Sequence, residues 1–147
     1  MIANRYRCIR VGLAFAASVG ACAGRQTAPS ATPAVGCEVG DSAMVRDILY
    51  FGRNRPAGGV VGDAEWQGFL DGVVTPRFPA GLTVIEARGQ WRGRTGSLEH
   101  EQAQIITLFH AGDDRARRAV AEVIAEYKRR FQQEAVLRER TPTCARF

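Results

Sequence analysis

Lysine is almost absent from this chain. Lys128 is the only one, and arginine supplies the rest of the 20 basic residues. Genome composition accounts for that imbalance as readily as phosphate recognition does. The formal charge of +5 also shrinks on inspection, because Arg5, Arg7 and Arg10 lie in a segment read below as removed. Without those three, 17 of the 20 basic residues face 15 acidic ones. A net of about +2 is too small for an electrostatic footprint on DNA, so no nucleic-acid partner is expected. The run Val11 to Val19 is too short to anchor stably across a bilayer. The glycine-rich stretch after Gly52 lacks G-K-[ST], and G-x-G-x-x-G is missing, which excludes the common phosphate-cradling loops. No cysteines stand in C-x-x-C spacing, and His100 and His110 have no ligand-like spacing to them. No metal and no cofactor is therefore expected. No Ser-His-Asp or Cys-His arrangement is legible, so no catalytic residue is assigned.

What is present begins with an export signal. Met1 to Ala21 has a positive n-region, a short apolar run and the small residues of VGAC, Val19 to Cys22. Small residues before a cysteine resemble the lipobox of bacterial lipoproteins. That resemblance implies cleavage before Cys22, its lipidation, and a membrane partner through the N-terminal anchor. An ordinary signal peptide cut at a nearby small-x-small site is the other reading. Residues 22–36 are dominated by Pro, Ala, Ser and Thr without apolar periodicity, the composition of a tether or tail. The expected location is the cell envelope or periplasm, on a membrane.

Residues 37–147 are read as one domain, since 147 residues suffice for one modest core and not two. Cys37 and Cys144 bracket it. In an exported protein the pair is expected as a disulfide closing a loop of roughly 100 residues, worth at most about 4–5 kcal/mol. Two free thiols are the alternative.

Gly81 to Arg92 is the clearest strand. Its small or apolar parity, Thr83, Ile85, Ala87, Gly89 and Trp91, alternates with Glu86, Arg88, Gln90 and Arg92, which predicts one buried face. Before it, Met44–Arg53 contains a strand with the continuous apolar run Ile48–Phe51. An Arg-, Pro- and Gly-rich loop leads to a helix capped by Asp63, with Trp66, Phe69, Leu70 and Val73 as its core stripe and Pro76 and Pro79 stopping it. After it, Gly93–Gly96 signals a turn, and Gln104–His110 returns as a strand apolar on both parities. Asp113 or Asp114 caps a long helix with Val120, Val123, Ile124, Tyr127 and Phe131 buried. Arg118–Glu122 and Glu126–Arg130 are expected ion pairs on its solvated side. Ala135–Arg140 is the last strand, closed by Pro142.

The order β-α-β-β-α-β predicts an α+β, ferredoxin-like fold. Its four-stranded antiparallel sheet has the order 4-1-3-2, with both helices on one face. The two central strands are the two runs apolar on both parities, so their second face needs a cover. A homodimer through the open face supplies one. The linker or C-terminal tail, pinned by a Cys37–Cys144 bond, supplies another.

One sheet edge collects Tyr50, Arg53, Arg55, Gln90, Trp91, Arg92 and Glu134. Guanidinium groups, a stacking ring and glycine backbone suit a small anionic ligand or a protein partner. The competing reading is a structural ion pair of Glu134 with Arg53 or Arg92, with Trp91 in the core. His110, Glu86 and Glu134 are the residues able to act as acid or base, and none has a partner readable from spacing.

LYFGRNRP, Asp63-x-x-Trp66, VTPRFP-x-GLTV, GQWR and the closing F-x-QE-x-VLR with P-x-C resemble a bacterial family of small exported proteins. It is catalogued as domain of unknown function three-five-seven-four. The likeness spans Cys37 to Phe147, with Ala135 standing where the pattern has Ser. It implies an exported, lipoprotein-like single domain and no activity. The function read from all this is a lipid-anchored envelope domain serving as a non-catalytic binding or interaction module. The alternative is a small dimeric ferredoxin-like enzyme, monooxygenase- or isomerase-like, with a pocket on the open sheet face.

Overall fold

The computed structural model describes residues 36–92 and 96–147. The expected signal segment, Cys22 and the expected linker up to residue 35 fall outside them, as do residues 93–95 of the predicted turn. The elements are β1 (Ser42–Gly52), α1 (Asp63–Phe69) continued by a π-turn at Leu70–Val74, β2 (Thr83–Arg92), β3 (Leu98–His110), α2 (Asp114–Phe131) and β4 (Leu137–Ala145). The sheet order is β2-β3-β1-β4 and every neighbouring pair is antiparallel. This is the predicted α+β, ferredoxin-like arrangement. No helix among the described residues is long and apolar enough to cross a membrane.

Alternate residues of the central strands divide the sheet faces. Leu49 and Phe51 of β1 pair across to Ile106 and Gln104 of β3, and these point to the helices. The helices return Trp66, Phe69, Leu70, Val120, Val123, Tyr127 and Phe131. Phe51 lies at the centre, with ring centroids 5.4 Å from Trp66, 5.9 Å from Phe69 and 4.7 Å from Tyr127. Tilted and edge-on aromatic contacts at such spacings add to the burial energy, and truncating Phe51 to Ala is expected to cost about 3–5 kcal/mol. Burial pushes the Tyr127 hydroxyl well above the usual phenol range, and it donates to the Gly52 carbonyl at 2.9 Å.

Four local readings need correction. The N-cap of α1 is Gly62, not Asp63: the Glu65 carboxylate reaches back to accept the Gly62 N–H at 3.0 Å. The π-turn then adds a residue to the turn, with Thr75 N–H donating to Leu70 C=O at 2.9 Å. That insertion rotates the stripe, so Val74 is fully buried and Val73 only flanks the core. On α2, Asp113 is the cap, accepting from Ala116 N–H at 2.7 Å. The expected pairs there give way to Arg77–Glu122 at 3.0 Å and Arg129–Glu126 at 2.6 Å. β4 runs through Pro142, which sits opposite Val45 on an edge strand, where a missing N–H costs no ladder bond.

The largest correction concerns β2. Register places Ile85 opposite Ile105 and Trp91 opposite Glu99. Its small, apolar parity therefore lies on the face away from the helices, and Ile85 and Trp91 are 52% and 44% exposed.

Cys37 and Cys144 are joined, as expected, across a separation of 107 residues. Beside the bond, Arg146 donates to Asp41 at 2.8 Å and to the Val39 carbonyl at 2.8 Å. Val39 and Phe147 stay almost fully exposed, so neither side chain packs on the open sheet face.

Candidate functional site

The open face is not uniformly apolar. One row across it runs Leu137, Tyr50, Ile105, Ile85. The next row is Gly52, Ala103, Ala87, and after it come Glu101 beside Gly89, then Glu99 beside Trp91. The small residues of the middle rows leave a dent between a bulky apolar row and a row of carboxylates and indole. Two loops wall the dent at the sheet end, one at Asn54–Pro56 and one at Gln133–Ala135. Gln133 ties them by donating its amide to the Asn54 carbonyl at 2.7 Å. Gly58 and Gly59, both at positive φ, let the first loop fold back, closing Arg55 N–H to Gly59 C=O at 3.0 Å. The resulting cavity holds about 240 Å³ and is mainly apolar in its lining, with Glu99, Glu101 and Glu134 among its polar groups.

This is the edge foreseen from topology, though not with every expected residue. Tyr50, Arg55, Gln90, Trp91 and Glu134 line the cavity. Arg53 and Arg92 do not. Arg53 is buried on the helix side, where it donates to the Val61 carbonyl and pairs with Asp63 at 2.7 Å. Arg92 donates to Gly96 C=O at 2.5 Å, a local turn contact. The Arg55 guanidinium pairs with Glu65 at 2.6 Å and lies over the Phe131 ring at 5.7 Å. Among the described residues, the three guanidinium groups expected at this edge are thus engaged with other partners. The guanidinium groups serve α1 and the loops, and the cavity wall carries carboxylates. Trp91, 44% exposed, is not a core residue.

Glu101 is the least exposed of these carboxyls. Burial pushes it up and Glu99 pushes the same way, with partial relief from the Asn54 N–H at 3.4 Å. Tyr50 closes the opposite wall, donating to Glu139 at 2.7 Å. Ala135, where the sequence pattern suggests Ser, also lines the cavity. Glu99, Glu101 and Ala103 escape the sequence reading because it starts β3 at Gln104, whereas Asn54 and Leu137 carry no signal that sets them at this edge. Continuing the hairpin register back from Ala103 would have set Glu101 and Glu99 opposite Gly89 and Trp91.

At the far end of the sheet lies a buried polar cluster, also missed. Asp47 is fully buried, accepts two hydrogen bonds from Arg138 at 2.8 Å each, and meets His110 Nε2 at 2.8 Å. The Gly112 N–H donates to His110 Nδ1 at 3.0 Å, so Nε2 carries the proton that Asp47 accepts. Burial raises the Asp47 carboxyl, but the hydrogen bonds from Arg138 and His110 and the Arg138 charge outweigh it and hold it below the ordinary carboxylate range. With both ring nitrogens engaged, His110 is a strut between β1 and β3, not a base. Glu86 sits on the helix side of β2, in a polar recess with Arg53 and Gln104. Among the described residues no group of three or more His, Cys, Asp or Glu side chains is placed to hold a metal ion.

The family described as "Protein of unknown function (DUF3574)" matches residues 46–147, and the chain belongs to it. No curated protein matches the chain. Among solved structures, a phage SAM lyase in complex with S-methyl-5'-thioadenosine is similar in fold, with a TM-score of 0.57 and 15% identity over 76% of this chain and 95% of that one. CutA from Synechococcus elongatus is more distant, with a TM-score of 0.47 and 10% identity over 71% of this chain and 82% of that one.

Proposed function

We propose that this protein is an exported, lipid-anchored envelope domain that binds a small molecule in the cavity at the end of its open sheet face. The observation that carries the reading is that dent: Gly52, Ala103 and Gly89 hollow the sheet, while Trp91, Leu137 and the two tied loops wall it. Concave, mainly apolar sites with a few convergent polar groups are where small ligands bind. At about 240 Å³ the space suits a small ligand with little more than one ring. The phage lyase, on the same fold, is solved with a small molecule bound, so the fold accommodates one. The signal-like segment, the VGAC cysteine and the Pro/Ala/Ser/Thr tether support export and anchoring. A formed Cys37–Cys144 bond suits an oxidising compartment.

A second reading is the small dimeric ferredoxin-like enzyme with its pocket on this face. Glu101, whose carboxyl is pushed up inside the cavity, is the observation in its favour. Binding is the better-supported reading. Among the described residues the cavity lining includes no His, Cys or Ser, and the one hydroxyl on it, Tyr50, is bonded to Glu139. A dimer through the open face would bury Ile48, Ile85, Ile105 and Phe109 and leave the cavity at its margin.

The test is co-purification. Full-length protein is extracted from membranes and its bound small molecules are identified by mass spectrometry, in parallel with Gly89→Leu. Nothing lies within 4 Å of the place a β-carbon on Gly89 would take, so the leucine fills the dent without touching the core. A compound present with the native protein and lost from the folded variant supports the reading. Identical small-molecule content in both refutes it.

A further inference from the structure

The chemistry of the cavity wall narrows the ligand, provided the cavity is the binding site proposed above. Glu99 and Trp91 are direct cross-strand partners, and Glu101 is the partner of Gly89 one step along. Carboxylates and an exposed indole therefore stand side by side on one face, above a floor made of glycine and alanine. Glu101 is kept there by Gly52, which leaves room for its carboxylate, and by the Asn54 N–H. Among the described residues, the basic side chain that lines the cavity, Arg55, already has Glu65 as its partner and Phe131 beneath it. An anion entering would meet like charge. A neutral ligand would leave the carboxylates unsatisfied as it displaced their water. A cation satisfies them, and a ring or apolar arm attached to it finds Trp91 and Leu137.

We propose that the cavity selects a small organic cation, an ammonium group carried on an aromatic or apolar body, with Glu99 and Glu101 receiving the charge and Trp91 the body. Discrimination comes from charge, while the dent itself supplies the fit.

The proposal is tested by calorimetric titration of the full-length protein with three probes of one shape: 2-phenylethylammonium, 2-phenylethanol and 3-phenylpropionate. The native protein is expected to bind the ammonium about tenfold or more tightly than the alcohol, and the propionate least, with the preference shrinking as salt is added. In Glu99→Gln/Glu101→Gln, which keeps shape and removes charge, the ammonium and alcohol should come within about twofold of each other. Cation binding should release protons and strengthen as pH rises, since the cation favours the ionised Glu101 carboxyl; alcohol binding should do neither. Gly89→Leu should abolish binding of all three. Equal binding of ammonium and alcohol, or a preference for the propionate, overturns the cation assignment while leaving the cavity reading intact if Gly89→Leu still blocks it. Binding of no probe also overturns the assignment. Binding that Gly89→Leu leaves unchanged overturns the cavity reading itself.

Discussion

The carboxylate of Glu101 occupies the space that a β-carbon on Gly52 would take. Gly52 is at the end of β1, two strand positions from Tyr50, and its partner across the ladder is Ala103. The absence of a side chain at one residue thus places a charged group from another strand at the cavity wall. Gly52→Ala should therefore fold, because the displaced atoms belong to the flexible end of a side chain and the backbone φ is ordinary. It should swing the Glu101 carboxylate away. The expected result is a Tm change within a few degrees, about 1 kcal/mol or less, together with loss of most of the preference for 2-phenylethylammonium over 2-phenylethanol. An unchanged preference would show that the Glu101 position does not matter.

Glu101→Gln gives the pH test of the same group. The folded state raises this carboxyl above its unfolded value. Between the unfolded and folded values the folded chain holds more protons, so stability falls as pH rises through that window. The native protein should therefore lose stability from about pH 4 upward through the raised folded value, relative to Glu101→Gln. At pH 7 the variant should be the more stable, with the higher Tm. Thermal melts at pH 4, 5, 6 and 7 decide it. Parallel curves for the two proteins would show that Glu101 is not strained in the fold.

The Asp47 cluster predicts the opposite sign. Its folded carboxyl is held below the ordinary range, so its contribution is present above about pH 4 and lost as pH falls through the lower folded value. Arg138→Met strips the bidentate partner from a fully buried carboxylate, and such losses cost about 3–5 kcal/mol. Denaturant melts at pH 7 should show that cost, and it should shrink below pH 4. A cost under about 1 kcal/mol would contradict the cluster as a strut of the sheet.

Two covalent features are open to direct test. Cys22→Ala should move the protein from the membrane fraction to the soluble one with its Tm unchanged. Retention on the membrane, with no labelled fatty acid in the native protein, would contradict lipidation. Cys37→Ser should lower stability by at most about 4–5 kcal/mol, the limit for a loop of this size. The strand pairing of Ala43 with Cys144 keeps its backbone bonds, so the fold should persist.

Oligomeric state follows from the open face. Ile48, Ile105 and Phe109 are partly covered there by their neighbours, while Ile85 and Leu137 are more than half exposed. Sedimentation of the full chain in micelles is expected to show a dimer at micromolar concentration, lost in Ile85→Lys. A monomer for the native protein would contradict it.

The legible parts of the fold were those that periodicity encodes. Ile48–Phe51 and Ile105–Phe109 are apolar on both parities because they are the central strands, which agrees with the sheet order that the β-α-β-β-α-β element sequence predicts. The caps and prolines delimit both helices within a residue or two. What periodicity cannot encode is which parity faces which layer. On β2 the alternation predicts that the parity of Ala87 and Gly89 is a buried face, and these residues are instead the floor of the open cavity. Its polar parity faces the helix side but lies beyond the helices' cover, which is why Glu86, Arg88 and Gln90 are tolerated there. The site edge was legible from topology, because strand direction brings Tyr50, Trp91 and Glu134 together. The sign of its charge was not. Arg53 and Arg55 look available in sequence, and only the fold reveals that Asp63 and Glu65 at the start of α1 take them. Asp47 escaped notice because one carboxylate before an apolar run gives no hint of Arg138, 91 residues away.

The most direct measurement uses the two tryptophans. Trp66 is buried in the core and Trp91 stands on the cavity wall, so their indole N–H resonances report the two places separately. In a titration of the ¹⁵N-labelled full-length protein with 2-phenylethylammonium, the Trp91 indole signal should shift saturably while that of Trp66 stays fixed. Gly89→Leu should abolish the shift. A saturable binding isotherm in which the Trp91 signal does not move would contradict the cavity as the ligand site.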